Sequence, residues 1–461
     1  MISTARKPPS GPLTDPDHHI GAALAPPSPS PSPLGPPPSS PPMPKDPLAP
    51  ARTDVAPADV SVWLRWAVSP SHALALLAAP LLLAPAFALL ARALPAHRRP
   101  PNPFTPFFLL SHAAPPPERI LAATTAPRYT ATTPLYVKGP GDLLLVAWSV
   151  VLFSFLRLLL ARQLFPALAK RWGIRKEGKQ IRFGEQGYAV VYWAVFGAWG
   201  VYIMSTSRTH WFQTSYFWAD YPHTHLSGAM KRYYLSQIAY WVQQGGVLAL
   251  GLEKRRSDFW EYVLHHLITV WMVSWSYLMN VTLLGNAVFI SMDIPDTGLA
   301  FSKCLNYLQL DRAKVVSLGV FTVVWTYFRH FISIRILWSL LYEFDLVPKY
   351  AQVFAPSKGL YMATWMRDQM FYTLCILQAL NIFWYYLIIR VIVRSIRTSK
   401  TEDNRSEESE PEGEDEAPPE KGLPPSIAKS KKGGAARTGA GAGLTAAPAT
   451  EKEREAGGKA E

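Results

Sequence analysis

Five ionisable residues stand where an apolar sequence should carry none. Glu261, His265, His266, Asp293 and Asp296 fall inside two adjacent apolar stretches near 260–280 and 283–303. A carboxylate in hydrocarbon costs a few kcal/mol even on lenient insertion scales, so such residues point first to function. Hydrogen bonding between helices is the competing reading. Histidine titrates near neutrality, and a neighbouring carboxylate orients its ring and stabilises the imidazolium. Such a pair can take a proton from an amine or attack a thioester.

The two stretches must position these groups. They form a helical hairpin that turns near Asn280 to Thr282, with His266 and Asp296 at similar distances from the turn. At 1.5 Å per residue both lie roughly 20 Å from that edge, at one depth. Asp293 and Asp296 are spaced i, i+3 and share a helix face, whereas His265 and His266 point about 100° apart, so one histidine at most is expected to aim at the paired carboxylates. The cluster then sits within about 10 Å of the opposite, cytosolic surface. Beside it lies the basic run Lys254, Arg255 and Arg256, placed to attract an anionic cytosolic donor as well as to fix topology. Arg329 and His330, further along, are expected to line the same cavity or to pair with Glu261 or Asp293. A metal is not expected: three residues before His265 stands Tyr262, and His210, His223, His225 and His330 are too few and wrongly spaced for a di-iron site.

The rest of the chain is read as support for this hairpin. Mean hydropathy is only +0.05 although 49% of the 461 residues are hydrophobic, because polar ends dilute an apolar middle. Eight spans of about 20 apolar residues are expected at 72–94, 142–164, 186–206, 233–252, 260–280, 283–303, 315–341 and 370–393. This is an all-α polytopic membrane protein. Lys and Arg are dense in the 165–185 and 253–259 loops, which places both termini in the cytosol; the basic 95–141 loop runs against this assignment. Residues 1–60, rich in Pro, and 398–461, acidic and then rich in Ala, Gly and Lys, read as disordered tails. Two cysteines, both in apolar segments, exclude a disulfide framework or a thiolate metal site. The net charge of +13 is accounted for by membrane topology, and no nucleic-acid motif accompanies it. The sequon Asn280-Val281-Thr282 hugs the bilayer edge and is expected to be unmodified.

The run from Lys254 through Asp258, Phe259, Trp260 and Glu261 to His265-His266, followed by Met292-Asp293-Ile294-Pro295-Asp296, resembles the longevity-assurance ceramide synthases, which carry a TLC domain. Supporting matches are Asn102-Pro103-Phe104, Tyr136 to Asp142, Phe183-Gly184-Glu185-Gln186, Tyr240 to Gln244 and Arg329-His330. The Pro-rich head and acidic tail look fungal. Pro295 departs from the family, where Ser usually precedes the second aspartate, and removes one backbone hydrogen bond from the helix.

The resemblance implies two N-terminal spans with their loop in 61–165 and a TLC catalytic domain in 180–397, built as a six-helix barrel around the site. It implies His265, His266, Asp293 and Asp296 as the catalytic centre; Glu261, Arg329, His330, Lys254, Arg255 and Arg256, from their charge and position beside it, are expected to bind substrate. It further implies transfer of a fatty acyl group from acyl-CoA to the amine of a sphingoid base, at the endoplasmic reticulum membrane and without a cofactor. A homo- or heterodimer with another ceramide synthase, and a small single-pass accessory subunit, are partners that it leaves open. The alternative from another class is a non-catalytic TLC-domain protein that senses or transports lipids.

Overall fold

A computed structural model describes residues 60–117, 134–253 and 257–398. Both expected tails fall almost wholly outside these residues, as do Lys254, Arg255 and Arg256. Among the described residues are ten α-helices: α1 Pro70–Ala91, α2 Gly141–Leu159, α3 Phe165–Arg171, α4 Glu177–Ser205, α5 Gly228–Ala249, α6 Phe259–Leu278, α7 Thr282–Tyr307, α8 Asp311–Trp325, α9 Ser333–Tyr342 and α10 Thr364–Thr398. Two π-helical turns, Leu160–Leu164 and Thr326–Ile332, join α2 to α3 and α8 to α9. Three two-residue strands, β1 Ala113–Ala114, β2 Leu135–Tyr136 and β3 Leu226–Ser227, pair antiparallel in that order.

A helix stands at each of the eight expected spans, and among the described residues five segments are by length and composition apolar enough to cross a membrane: α1, α2–α3, α4, α8–α9 and α10. The other three, α5, α6 and α7, have 22, 20 and 26 residues, a sufficient length. Their hydropathy is lowered by polar residues that they bury inside the protein: Lys231, Gln237 and Gln243 on α5, His265 and His266 on α6, Asn286, Ser291 and Asp293 on α7. The fold is an all-helical, polytopic membrane protein in which the most polar helices carry the candidate site.

Helix contacts close a circuit of six members: α4 packs on α5, α5 on α6, α6 on α10, α10 on the α8–α9 rod, that rod on α7, and α7 back on α4. α1 and α2 lie outside the circuit, α1 against α2 and α2 against α5. Close approach of α4 to the first π turn depends on Gly184, where a Cβ would stand 2.2 Å from the Ala161 carbonyl oxygen, a backbone atom that cannot yield.

The segment before α2 is fastened to the circuit by a buried ion pair. Lys231 Nζ lies 2.6 Å from Asp142 Oδ1, and donates to the carbonyls of Ser111 and Val137 at 2.9 and 2.7 Å. Asp142 Oδ2 accepts from Tyr277 Oη and from the Gly139 N–H, both at 2.9 Å. Lys231 thus has two carbonyls and a carboxylate around its ammonium, and Asp142 has two donors on Oδ2 with Oδ1 against the ammonium, the compensation that a buried pair requires. Asp142→Asn should therefore lower stability by about 3–5 kcal/mol through the uncompensated Lys231. Thermal unfolding in detergent should show part of that loss recovered in the Asp142→Asn/Lys231→Met double variant.

At the α6–α7 turn Asn280 takes a left-handed conformation (φ 61°) and is 2% exposed. Its Nδ2, the atom a glycan would need, donates to the Gly359 carbonyl at 2.9 Å. The turn is further held by Tyr221, whose Oη donates to the Met279 carbonyl and accepts from the Tyr361 N–H, each at 3.0 Å.

Candidate active site

Helix α6 presents the histidines. Its sequence has neither Pro nor Gly, runs 20 residues from the acidic start at Asp258 and Glu261, and buries His265 and His266 toward the interior of the circuit. Asp258 Oδ2 accepts from the Trp384 indole N–H at 3.0 Å, which ties the start of α6 to α10. A cavity of about 110 Å³ opens beside the two rings. Its walls are Trp193 of α4, Tyr240, Trp241 and Gln244 of α5, Tyr262, His265 and His266 of α6, Asp296 and Leu299 of α7, Trp325 and Arg329, and Trp384 and Ile388 of α10.

Both histidines line this cavity together with Asp296, and aromatic rings shape the pocket around them. Trp241 meets His265 and His266 edge-on at 5.5 and 5.6 Å between centroids, Trp384 meets His265 at 5.2 Å, and Tyr262 meets His266 at 4.3 Å. His266 Nδ1 lies 2.9 Å from the Tyr262 carbonyl oxygen. A carbonyl only accepts, so Nδ1 carries a proton, and in the neutral ring the lone pair is then on Nε2. That is the tautomer a base or nucleophile needs.

Asp296 is anchored by Arg329. One guanidinium nitrogen, Nη2, stands 2.7 Å from Asp296 Oδ1 and 3.1 Å from the Met292 carbonyl oxygen; Nη1 donates to Asn381 Oδ1 at 2.8 Å; and the group lies over the Trp325 ring at 4.6 Å. The π turn Thr326–Ile332 that carries Arg329 displaces it from regular helical register, a device often found at functional positions. Pro295 does not break α7, which continues from Thr282 to Tyr307. Arg329 instead bonds the Met292 carbonyl within the turn that precedes Asp296, beside the hydrogen bond that Pro295 removes.

The remaining candidate residues are placed elsewhere. Asp293, 1% exposed, is not part of the cavity wall; its Oδ2 accepts from Gln237 Nε2 at 2.8 Å. His330 is half-buried outside the wall, with Nδ1 3.0 Å from Gln378 Nε2 and its ring against Tyr385. Glu261 is half-exposed in the first turn of α6, also off the wall. Arg329 thus pairs with Asp296, and not with Glu261 or Asp293. Lys254, Arg255 and Arg256 lie outside the described residues, but the chain just before them is held to the outer helices. Arg162 Nη2 donates to the Leu252 carbonyl at 2.7 Å and Arg157 Nη1 lies 3.6 Å from Glu253. Of the wall, Tyr262 and the Tyr240 to Gln244 run were singled out from sequence, whereas Trp193, Trp325, Trp384 and the partners Asn381 and Gln237 were not.

The TLC domain family matches residues 182–390, which reach all six members of the circuit and leave out only the start of α4 and the end of α10. The chain is 37% identical to the sphingosine N-acyltransferase lac1 of Schizosaccharomyces pombe over 281 residues, 61% of this chain and 72% of the relative. It is 37% identical to the ceramide synthase LAG1 of Saccharomyces cerevisiae over 290 residues, 63% and 70% of the two chains. It is 38% identical to the sphingosine N-acyltransferase-like protein FUM17 of Gibberella moniliformis over 273 residues, 59% and 70%. With a helical circuit, an intramembrane histidine pair and relatives matched over more than two thirds of their length, this chain belongs to the TLC-domain ceramide synthase family.

Proposed function

We propose that this chain is a ceramide synthase, transferring a fatty acyl group from acyl-CoA to the amine of a sphingoid base. The observation that carries the reading is the cavity in which His265, His266 and Asp296 meet among aromatic walls inside a membrane helix circuit. In the reaction the thioester C–S bond breaks, an amide C–N bond forms, the sulfur leaves as the coenzyme A thiol, and the amine gives up its proton. His266, with its lone pair on Nε2, serves as base toward the amine or as the acyl-accepting nucleophile, and Asp296 and Asp293 supply the negative charge that stabilises an imidazolium. Quenching the protein with acyl-CoA alone separates the two roles: acyl label on His266 marks the nucleophile, and its absence marks the base.

No metal is required in this scheme. The donor set supports that view, since the Asp296 charge is compensated by Arg329 and His266 Nδ1 is spent on a backbone carbonyl. The basic loops on the cytosolic side suit the phosphates of coenzyme A, and Lys254, Arg255 and Arg256 belong to that role. Residence in the endoplasmic reticulum with both termini cytosolic, and assembly with a second ceramide synthase chain and a small single-pass subunit, are parts of the same proposal and rest on loop charge and family resemblance.

The test is N-acylation in membranes of cells that lack their own ceramide synthases, supplied with sphinganine and acyl-CoAs of several lengths. Ceramide should form with one preferred chain length. Absence of product from well-accumulated protein, with and without a co-expressed accessory subunit, would overturn the reading in favour of a non-catalytic lipid-binding protein.

A further inference from the structure

Asp293 is held by a network that reaches the cavity wall from behind. Gln237, 0% exposed on α5, donates from Nε2 to Asp293 Oδ2 at 2.8 Å and to Tyr233 Oη at 3.2 Å. Its Oε1 accepts from Tyr192 Oη at 2.8 Å. A carboxamide has one donating and one accepting end, and a carboxylate only accepts. The Asp293 carboxylate therefore fixes which end of Gln237 faces it, and Oε1 is left to accept from the Tyr192 hydroxyl, which holds the carboxamide from the other side. Tyr192 in turn stacks on Tyr240, with interplanar angle 11°, and Tyr240 is part of the cavity wall.

The geometry points to Gln237 as a positioning residue of the acyl-transfer site: its carboxamide, locked by Tyr192, aims and stabilises the Asp293 carboxylate one helical turn from Asp296. The inference rests on the reading of Asp293 as part of the catalytic cluster. Without that donor a buried carboxylate would turn toward another one, and the charge that Asp293 holds one helical turn from Asp296 would move with it.

Gln237→Glu tests this because it keeps the shape of the side chain and changes only its donor. The introduced acid offers an O–H to Asp293 when protonated and only acceptors when ionised. The groups that face the pair, and set where the introduced acid titrates, are Tyr192 from α4, Tyr233 from α5, Asp296 on α7 and Arg329 from the π turn; dividing by the wild-type kcat removes only the pH dependence that the two proteins share. The ratio of variant to wild-type kcat is expected to fall at least about tenfold from about pH 6 to about pH 9. Gln237→Leu should lose activity equally across that range. A flat ratio for Gln237→Glu would overturn the inference and leave Gln237 a packing residue. Should that variant fail to accumulate, Tyr192→Phe decides: a drop in kcat of about tenfold is expected with the KM of both substrates unchanged, and an unchanged kcat overturns the proposal. Failure of the parent reading looks different, as either an inactive wild type or a fully active Asp293→Asn.

Discussion

Replacing His266 with alanine should lower ceramide formation by roughly 100- to 10,000-fold, the usual share of a positioned acid–base group, while the protein accumulates normally. The expectation follows from the Nδ1 contact. Tyr262 is four residues before His266 on α6, and its carbonyl accepts the Nδ1 proton at 2.9 Å, so the ring is held by its own helix and presents Nε2 to the cavity. Alanine removes that lone pair and leaves the helix backbone of α6 unchanged. His266→Gln should be as inactive, since an amide places no comparable base at the same point. His265→Ala is the informative partner, because His265 packs between Trp241 and Trp384 and its loss also loosens the wall. A His265 variant should therefore lose thermal stability as well as rate, and the His266 variant rate alone. Equal activity of wild type and His266→Ala, at matched protein level, would remove the histidine from the mechanism.

That His266 and Asp296 share one depth was legible in the sequence because it depends on helix rise alone. Counting residues from the Asn280 turn places both at one depth, and one cavity receives both. The direction of a side chain is a different matter. The i, i+3 spacing put Asp293 and Asp296 on one face, yet that face is wide enough for Asp296 to look toward Arg329 while Asp293 reaches Gln237 on the neighbouring α5. Arg329 was visible as a cation inside a span, but its partner was not. The choice of Asp296 comes from the π turn, which shifts the residues after Thr326 relative to a regular helix and has no sequence signature comparable to a cap or a proline. Gln237, Asn381 and the indoles of Trp193, Trp325 and Trp384 escaped for a simpler reason: an uncharged polar or aromatic residue in an apolar span is ordinary, and only its neighbours make it part of a site.

The Asp296–Arg329 pair should separate folding from catalysis. Arg329→Met leaves the Asp296 carboxylate without its guanidinium and deprives Asn381 and the Met292 carbonyl of their donor, so a loss of about 3–5 kcal/mol and a sharp fall in accumulated protein are expected. Asp296→Asn is the milder lesion for folding. Arg329 keeps Asn381, the Met292 carbonyl and the Trp325 face, and an asparagine oxygen still accepts a hydrogen bond from it. Its activity should nevertheless fall at least about a hundredfold, because the charge beside the histidines is gone. Arg329→Lys should lie between these, since one ammonium cannot match the planar fork that serves three acceptors at once. In the Asp296→Asn/Arg329→Met double variant no charge is buried unpaired, so protein level should recover relative to Arg329→Met while activity stays absent. Thermal unfolding in detergent beside the acyl-transfer assay reads both axes. Recovery of activity in the double variant would show that the pair serves the fold alone, and would leave the two histidines to carry the chemistry without Asp296.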